Sequence, residues 1–335
     1  MSKKIKWGIL STANIGVKKV IPAMQKGIYS EVVAIASRNH ENAKRVAGEL
    51  NIPTAYGSYK DLLADESIDA IYNPLPNHLH VPLTIECMEA GKHVLCEKPI
   101  ALNTEELQRL IAVREQHKVK VGEAFMVHTH PQWITAKQLI NQGEIGDLKS
   151  IHGFFSYFNN DAKNIRNIAE YGGGALFDIG CYPIHTSRFI FGEEPTGVIS
   201  LIDYDPDLKV DRLTSAILKF PSGQASFTAA TQLQRYQTMQ FFGTKKSMEI
   251  EVPFNAPDDQ PCRILLNDGD IMKPYTAVTT IETCDQYTVQ GDAFSLAILE
   301  DNEVPVPLED SMGNTAVIEA IFKSARTGQW ERPTF

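Results

Sequence analysis

Up to about residue 125, short apolar runs alternate with longer stretches of helical spacing. The runs at 5–10, 31–36, 54–56, 68–72, 93–96 and 119–123 predict strands. Helices are predicted over 15–25 and 42–50, and another opens at Asn103-Thr104-Glu105-Glu106, where a capping asparagine precedes two acids. This alternation predicts a parallel sheet built from βαβ units. After Phe125 the texture changes. One helix near 133–141 leads into strand patterns at 148–158, 198–203, 213–220, 224–231, 238–242, 247–252 and 263–266. Pro221-Ser222-Gly223 is a hairpin turn between two of them, and a last helix is predicted over 313–326. The expected fold is α/β. A doubly wound parallel sheet covers residues 1–124, and an α+β domain with a predominantly antiparallel open sheet covers 125–335. The helix over 313–326 is expected to pack back on the first domain.

A length of 335 residues suffices for two domains with ample cores, and 43% hydrophobic with 22% charged residues suits a soluble protein. The chain contains no apolar run of membrane-spanning length, and Met1-Ser2-Lys3-Lys4 leads into a strand rather than a signal peptide. A net charge of -9 disfavours nucleic acid or an anionic membrane as a partner. The five cysteines, Cys87, Cys96, Cys181, Cys262 and Cys284, show no metal spacing and are odd in number. They predict reduced thiols in a cytoplasmic protein.

The chemistry concentrates at the predicted strand ends. Glu97-Lys98-Pro99 puts a lysine where strand 93–96 meets the ligand crevice of an open sheet. Pro99 restricts Lys98 to extended backbone, which aims its ammonium. Gly8 to Gly16 occupies the place of a dinucleotide loop, but only its third glycine survives, with Ser11 and Ala13 at the first two positions. Strand 31–36 ends in Ser37-Arg38, where an NAD site would carry an acid. A hydroxyl and a guanidinium suit the 2′-phosphate of NADP, so NAD is the less favoured cofactor. Asn73 to His80 forms a proline-stiffened loop after strand 68–72, in which Asn77 can cap the next helix. His78 and His80 have no further ligands to complete a metal site, so no metal is expected. In the second domain, Gly172-Gly173-Gly174 opens a helix on which Asp178, Tyr182 and His185 follow at i, i+4 and i+7, one face of an α-helix.

Together these motifs resemble the glucose–fructose oxidoreductase / inositol dehydrogenase (Gfo/Idh/MocA) family over essentially the whole chain. The resemblance rests on Lys6-Trp7-Gly8-Ile9-Leu10, Ser37-Arg38, Pro76-Asn77-His78-Leu79-His80, Glu97-Lys98-Pro99 and Gly172 through Tyr182. It implies a Rossmann domain followed by a substrate-binding and oligomerisation domain. Asp178 followed by Tyr182, in place of an aspartate followed by histidine, resembles the branch holding dimeric dihydrodiol dehydrogenase and NADP-dependent xylose dehydrogenase.

The resemblance implies an NADP-dependent oxidoreductase for a pyranose sugar, a related cyclic polyol or a dihydrodiol. The alternative is a non-catalytic NADP-binding regulator of the same fold. Implied cofactor contacts come from Ser11, Thr12, Ala13, Asn14, Ile15, Ser37, Arg38, Leu75, Pro76, Asn77, His80, Glu97, Lys98 and Arg166. Implied catalytic residues are Lys98, Tyr182 and Asp178, with His185 lining the substrate pocket. A phenol with an ordinary pKa near ~10 is a weak base at neutral pH. An ammonium ~4 Å away supplies up to about 4 kcal/mol at an effective dielectric near ~20. That would carry Tyr182 roughly three pH units toward working range. Phe154, Phe227, Phe241 and Phe242 crowd the second sheet, and an uncovered apolar face there predicts a homodimer or higher homo-oligomer.

Overall fold

The computed structural model describes residues 3–335 except residue 274. Two compact units result, the chain up to Thr129 with Asp285–Ser311, and His130–Cys284 with Met312–Phe335. The first holds β1 (Ile5–Leu10), β2 (Ser30–Ala36), β3 (Thr54–Tyr56), β4 (Ala70–Asn73), β5 (His93–Cys96) and β6 (Val121–Glu123). They form one parallel sheet in the order β3-β2-β1-β4-β5-β6. The strand order reverses between β1 and β4, so the loops leaving Leu10 and Asn73 flank the switch point at which such sheets bind ligands. Helix Thr104–His117 is capped as expected, the Asn103 side chain accepting from Glu106 N.

The boundary differs from the expected 124/125 division because helix Gln286–Leu299 belongs to the first unit. The sequence pattern had not assigned it. Phe294 is 1% exposed and its ring lies 5.6 Å from that of fully buried Trp7. Trp7 Nε1 donates to Ser295 Oγ at 3.0 Å, and the Asp292 carboxylate accepts from Ile28 N and Tyr29 N at 2.7 and 2.9 Å. Phe294→Ala is expected to lower unfolding free energy by about 3–5 kcal/mol, the usual cost of emptying such a site. Urea denaturation followed by tryptophan fluorescence measures it, and a loss below about 1 kcal/mol would mean the helix is peripheral to folding.

The second unit holds β7 (Leu148–Phe158), β8 (Gly197–Tyr204), β9 (Asp211–Lys219), β10 (Gln224–Ala230), β11 (Gln232–Gly243), β12 (Ser247–Ile250), β13 (Cys262–Asn267) and β14 (Ala277–Ile281). Their order is β14-β13-β12-β11-β7-β10-β9-β8, antiparallel except for the β7–β10 pair. Helix Cys181–Phe191 lies against one face, and a Cβ on Gly153 would come within 3.1 Å of Pro183 Cβ. The aromatic residues divide between the faces. Phe227 and Phe241 are 4% and 0% exposed, whereas Phe242 is 38% exposed. Phe241 and Phe242 are consecutive, so the pleat sends them to opposite sides of the sheet. The exposed face instead carries Phe154 against Tyr236, with Leu201 and Ile217 further along. From Met312 onward the last helix, Leu308–Thr327, belongs to this unit. Ser200 Oγ donates to Ile321 O at 2.7 Å, and the Phe177 and Phe322 rings lie 5.4 Å apart.

Candidate active site

In the first unit the loop after β1 turns at Ser11, which adopts φ 69°, a conformation that usually favours glycine. Its Oγ accepts from Ala13 N at 3.2 Å, and Thr12 Oγ1 accepts from Asn42 Nδ2 at 2.6 Å. The hydroxyls of Ser11 and Thr12 therefore hold the turn, and the chain continues into a wide helical turn at Gly16–Val20. At the end of β2, Ser37 is 8% exposed and accepts from Asn39 N at 3.2 Å. Arg38 beside it is exposed; burial raises the phenol of Tyr59, and the Arg38 charge offsets part of that rise. Main-chain amides after β1 and an exposed guanidinium after β2 fit a dinucleotide carrying an additional phosphate.

The Lys98 turn is braced from several sides. Tyr72, fully buried on β4, donates to Glu97 Oε1 at 2.7 Å, and Glu97 N donates to Asn73 O at 3.0 Å. Burial and the Glu97 carboxylate push the Tyr72 phenol well up, which keeps it a donor. The Lys98–Pro99 peptide is cis, and Ile100 N donates to the buried Glu123 Oε1 at 2.9 Å. His80 is 1% exposed, with Nδ1 at 2.7 Å from Pro99 O and Nε2 at 2.6 Å from Leu75 O. Burial pulls His80 down to about 4. Expected as a cofactor contact, His80 instead ties the Leu75 loop to the Lys98 turn through main-chain carbonyls. Asn77 opens the short turn Asn77–Leu79, and helix His80–Glu89 follows with Leu79 at its N-cap position.

In the second unit a wide turn, Leu176–Gly180, precedes the regular helix Cys181–Phe191. The Asp178 carboxylate accepts from Tyr157 Oη at 2.5 Å and from Arg166 Nε at 3.0 Å. Burial and the neighbouring carboxylate raise the Tyr157 phenol, so it stays protonated as a donor. Arg166, expected at the cofactor, has this pairing with Asp178 as well. The Tyr182 ring is 6% exposed and packs 5.8 Å from Phe155 and 5.5 Å from Phe254. His185 is 1% exposed. Tyr157, Tyr72 and Glu123 had not been singled out. Each stands at or near a strand end, but no local motif marks it.

Residues 5–125 match the GFO/IDH/MocA oxidoreductase family with its NAD-binding Rossmann fold. Residues 133–249 match the GFO/IDH/MocA C-terminal domain. The chain belongs to the GFO/IDH/MocA family. It is accordingly an NAD(P)-dependent oxidoreductase. An oxidoreductase of Rhizobium meliloti is 46% identical over 329 residues, covering 98% of each chain. The D-xylose 1-dehydrogenase (NADP(+)) 2 of Haloferax volcanii is 38% identical over 331 residues, covering 96% of this chain and 98% of the relative. Among solved structures, KijD10, a 3-ketoreductase of Actinomadura kijaniata in complex with NADP and TDP-benzene, superposes with a TM-score of 0.89 at 27% identity. That match covers 96% of this chain and 98% of KijD10. These relatives lie in the branch of the GFO/IDH/MocA family that Asp178 and Tyr182 had indicated. No helix among the described residues is long and apolar enough to cross a membrane.

Proposed function

We propose that this oxidoreductase uses NADP to interconvert a secondary alcohol and a ketone or lactone on a pyranose sugar or related cyclic polyol. The observation that carries the reading is the Lys98 turn, braced by Tyr72, His80 and Glu123 at the end of β5. Ser37-Arg38 supports NADP over NAD, as do the NADP named for the Haloferax xylose dehydrogenase and that bound to KijD10. The cofactor supplies hydride acceptance or delivery at the substrate carbon. In oxidation the substrate hydroxyl proton passes to Tyr182 Oη as the C–H hydride departs, leaving a carbonyl. In reduction Tyr182 returns the proton to the nascent alkoxide. Lys98 holds positive charge near the reacting oxygen and favours the phenolate. Asp178, fixed by Tyr157 and Arg166, orients a substrate hydroxyl, and His185, on the same helix as Tyr182, lines the substrate pocket. Both Lys98 and Tyr182 are retained, which disfavours a regulator without catalysis. A panel of aldoses, inositols and dihydrodiols assayed by NADPH absorbance tests the proposal. Turnover with none of them, in a protein that binds NADPH, would overturn it.

We further propose a homodimer or higher homo-oligomer formed through the exposed face of the eight-stranded sheet. Leu201, Tyr236 and Ile217 are 80%, 54% and 42% exposed on these strands, and Phe242 joins His152 at a ring separation of 5.6 Å. Light scattering at micromolar concentration should return a multiple of the 37.3 kDa chain mass. Leu201→Glu should shift the species toward monomer by placing a charge in the buried patch. A wild-type monomer would end the idea.

A further inference from the structure

Asp211, the first residue of β9, is 2% exposed and points into the start of the segment that carries Asp178 and Tyr182. Its Oδ2 accepts from Leu176 N at 2.7 Å and from Thr214 Oγ1 at 2.9 Å, and the Ala175 amide also donates to the carboxylate. Gly174 adopts φ +114°, and a Cβ there would collide with Asp211 Oδ1. On the other side Gly174 N donates to Arg166 O at 2.8 Å and Gly173 N to Ile168 O at 3.1 Å. A Cβ on Gly173 would lie 2.5 Å from Arg166 O. The glycine run is thus a seat clamped between the Asp211 carboxylate and the Arg166 segment. The turn rising from it bears Asp178, whose carboxylate meets Tyr157 and Arg166, and leads into the helix of Tyr182.

We propose that Asp211 is a positioning residue for the reaction, anchoring the amides of Ala175 and Leu176 so that Asp178 and Tyr182 stand where the chemistry needs them. This rests on the catalytic reading of Asp178 and Tyr182 given above. An ionised carboxylate accepts from every one of these donors, whereas protonation turns one of its oxygens into a donor and weakens it as an acceptor for the amides. Burial pushes Asp211 up to about 7, against the pull of the Leu176 and Ala175 amides and Thr214. The charged and titratable groups facing it are few. Tyr204 stands opposite on β8, its phenol raised by burial and by Asp211 and lowered by Arg326. Arg212, next along β9, is tied to Asp203 at 2.8 Å.

The pH consequence has opposite signs for fold and function. The folded pKa of about 7 lies above the ordinary 3.8, so the folded state binds this proton more tightly. The stability it contributes is complete below 3.8 and is lost as pH rises through about 7. The anchor, in contrast, strengthens as the carboxylate ionises. In the reductive direction Tyr182 must be protonated and loses activity with rising pH, so a decline on the acid side belongs to another group.

The test combines the unliganded protein with kinetics. In 15N-labelled enzyme the Leu176 amide shift should titrate with a midpoint near 7. Asp211→Asn should abolish that titration and lower reductive kcat roughly tenfold or more, with NADPH affinity unchanged and the acid decline gone. Thr214→Val removes one donor to the carboxylate, so it should move the Leu176 midpoint and the acid decline upward together, which a merely structural loss would not do. A Leu176 amide that does not titrate between about pH 5 and about pH 9 would overturn the proposal. An Asp211→Asn enzyme with wild-type kcat, or one that keeps the acid decline, would also overturn it. If Leu176 titrates but Tyr182→Phe turns over normally, the catalytic reading has failed and the anchor has not.

Discussion

Tyr182→Phe is expected to reduce turnover by ~10² to 10⁴, the usual worth of general acid–base catalysis, while NADP binding persists. The change removes only the hydroxyl, and the ring contacts with Phe155 and Phe254 remain available to phenylalanine. Circular dichroism melting will separate a catalytic loss from a folding one. Lys98→Met should also suppress turnover and raise the apparent basic pKa of the residual reaction, because the charge favouring the phenolate is gone. Together the two changes should cost far less than the product of the single losses, as expected of residues acting as a unit. Fully additive losses would separate their roles. Near-normal turnover in Tyr182→Phe with none in His185→Ala would move the proton transfer to the histidine.

Arg38→Ala should weaken NADP binding strongly and leave NAD nearly unchanged. The wild-type preference is expected to be at least about tenfold, a gap of about 1.4 kcal/mol. The exposed guanidinium follows the buried Ser37 at the end of β2, where the chain has no acid to repel a 2′-phosphate. Bidentate contact with phosphate is the interaction arginine forms best, and a lysine replacement should restore only part of it. Titration calorimetry with both cofactors decides the matter. Equal losses for NADP and NAD would mean that Arg38 supports the β2 loop rather than reading the phosphate.

The six parallel strands were legible because each is a short apolar run between turn residues, a signal contained in a few neighbouring positions. The same locality exposed Glu97-Lys98-Pro99 and the Asp178–Tyr182 pair as candidates. Alternation likewise revealed the strands of the second sheet, but a period of two gives the parity of residues and not which parity is covered. Phe227 and Phe241 are buried because helices pack on their side of the sheet, Trp133 of helix Pro131–Asn141 lying 6.1 Å from the Phe241 ring, and nothing within their strands says so. Helix Gln286–Leu299 escaped notice for a related reason. Gly291 and several β-branched or aromatic residues weaken its local helical signal, and packing against Trp7 and Met24 overrides that preference. Tertiary structure alone paired Tyr157 with Asp178 across 21 residues and Asp211 with Leu176 across 35. Hydrogen bonds between buried groups far apart in sequence leave no periodic trace. Sequence by itself thus determined the strand pattern and the chemistry-bearing motifs, both local properties. Which face is buried, which unit a helix joins and which groups hold the catalytic candidates were decided by close packing and by the need to satisfy buried polar atoms.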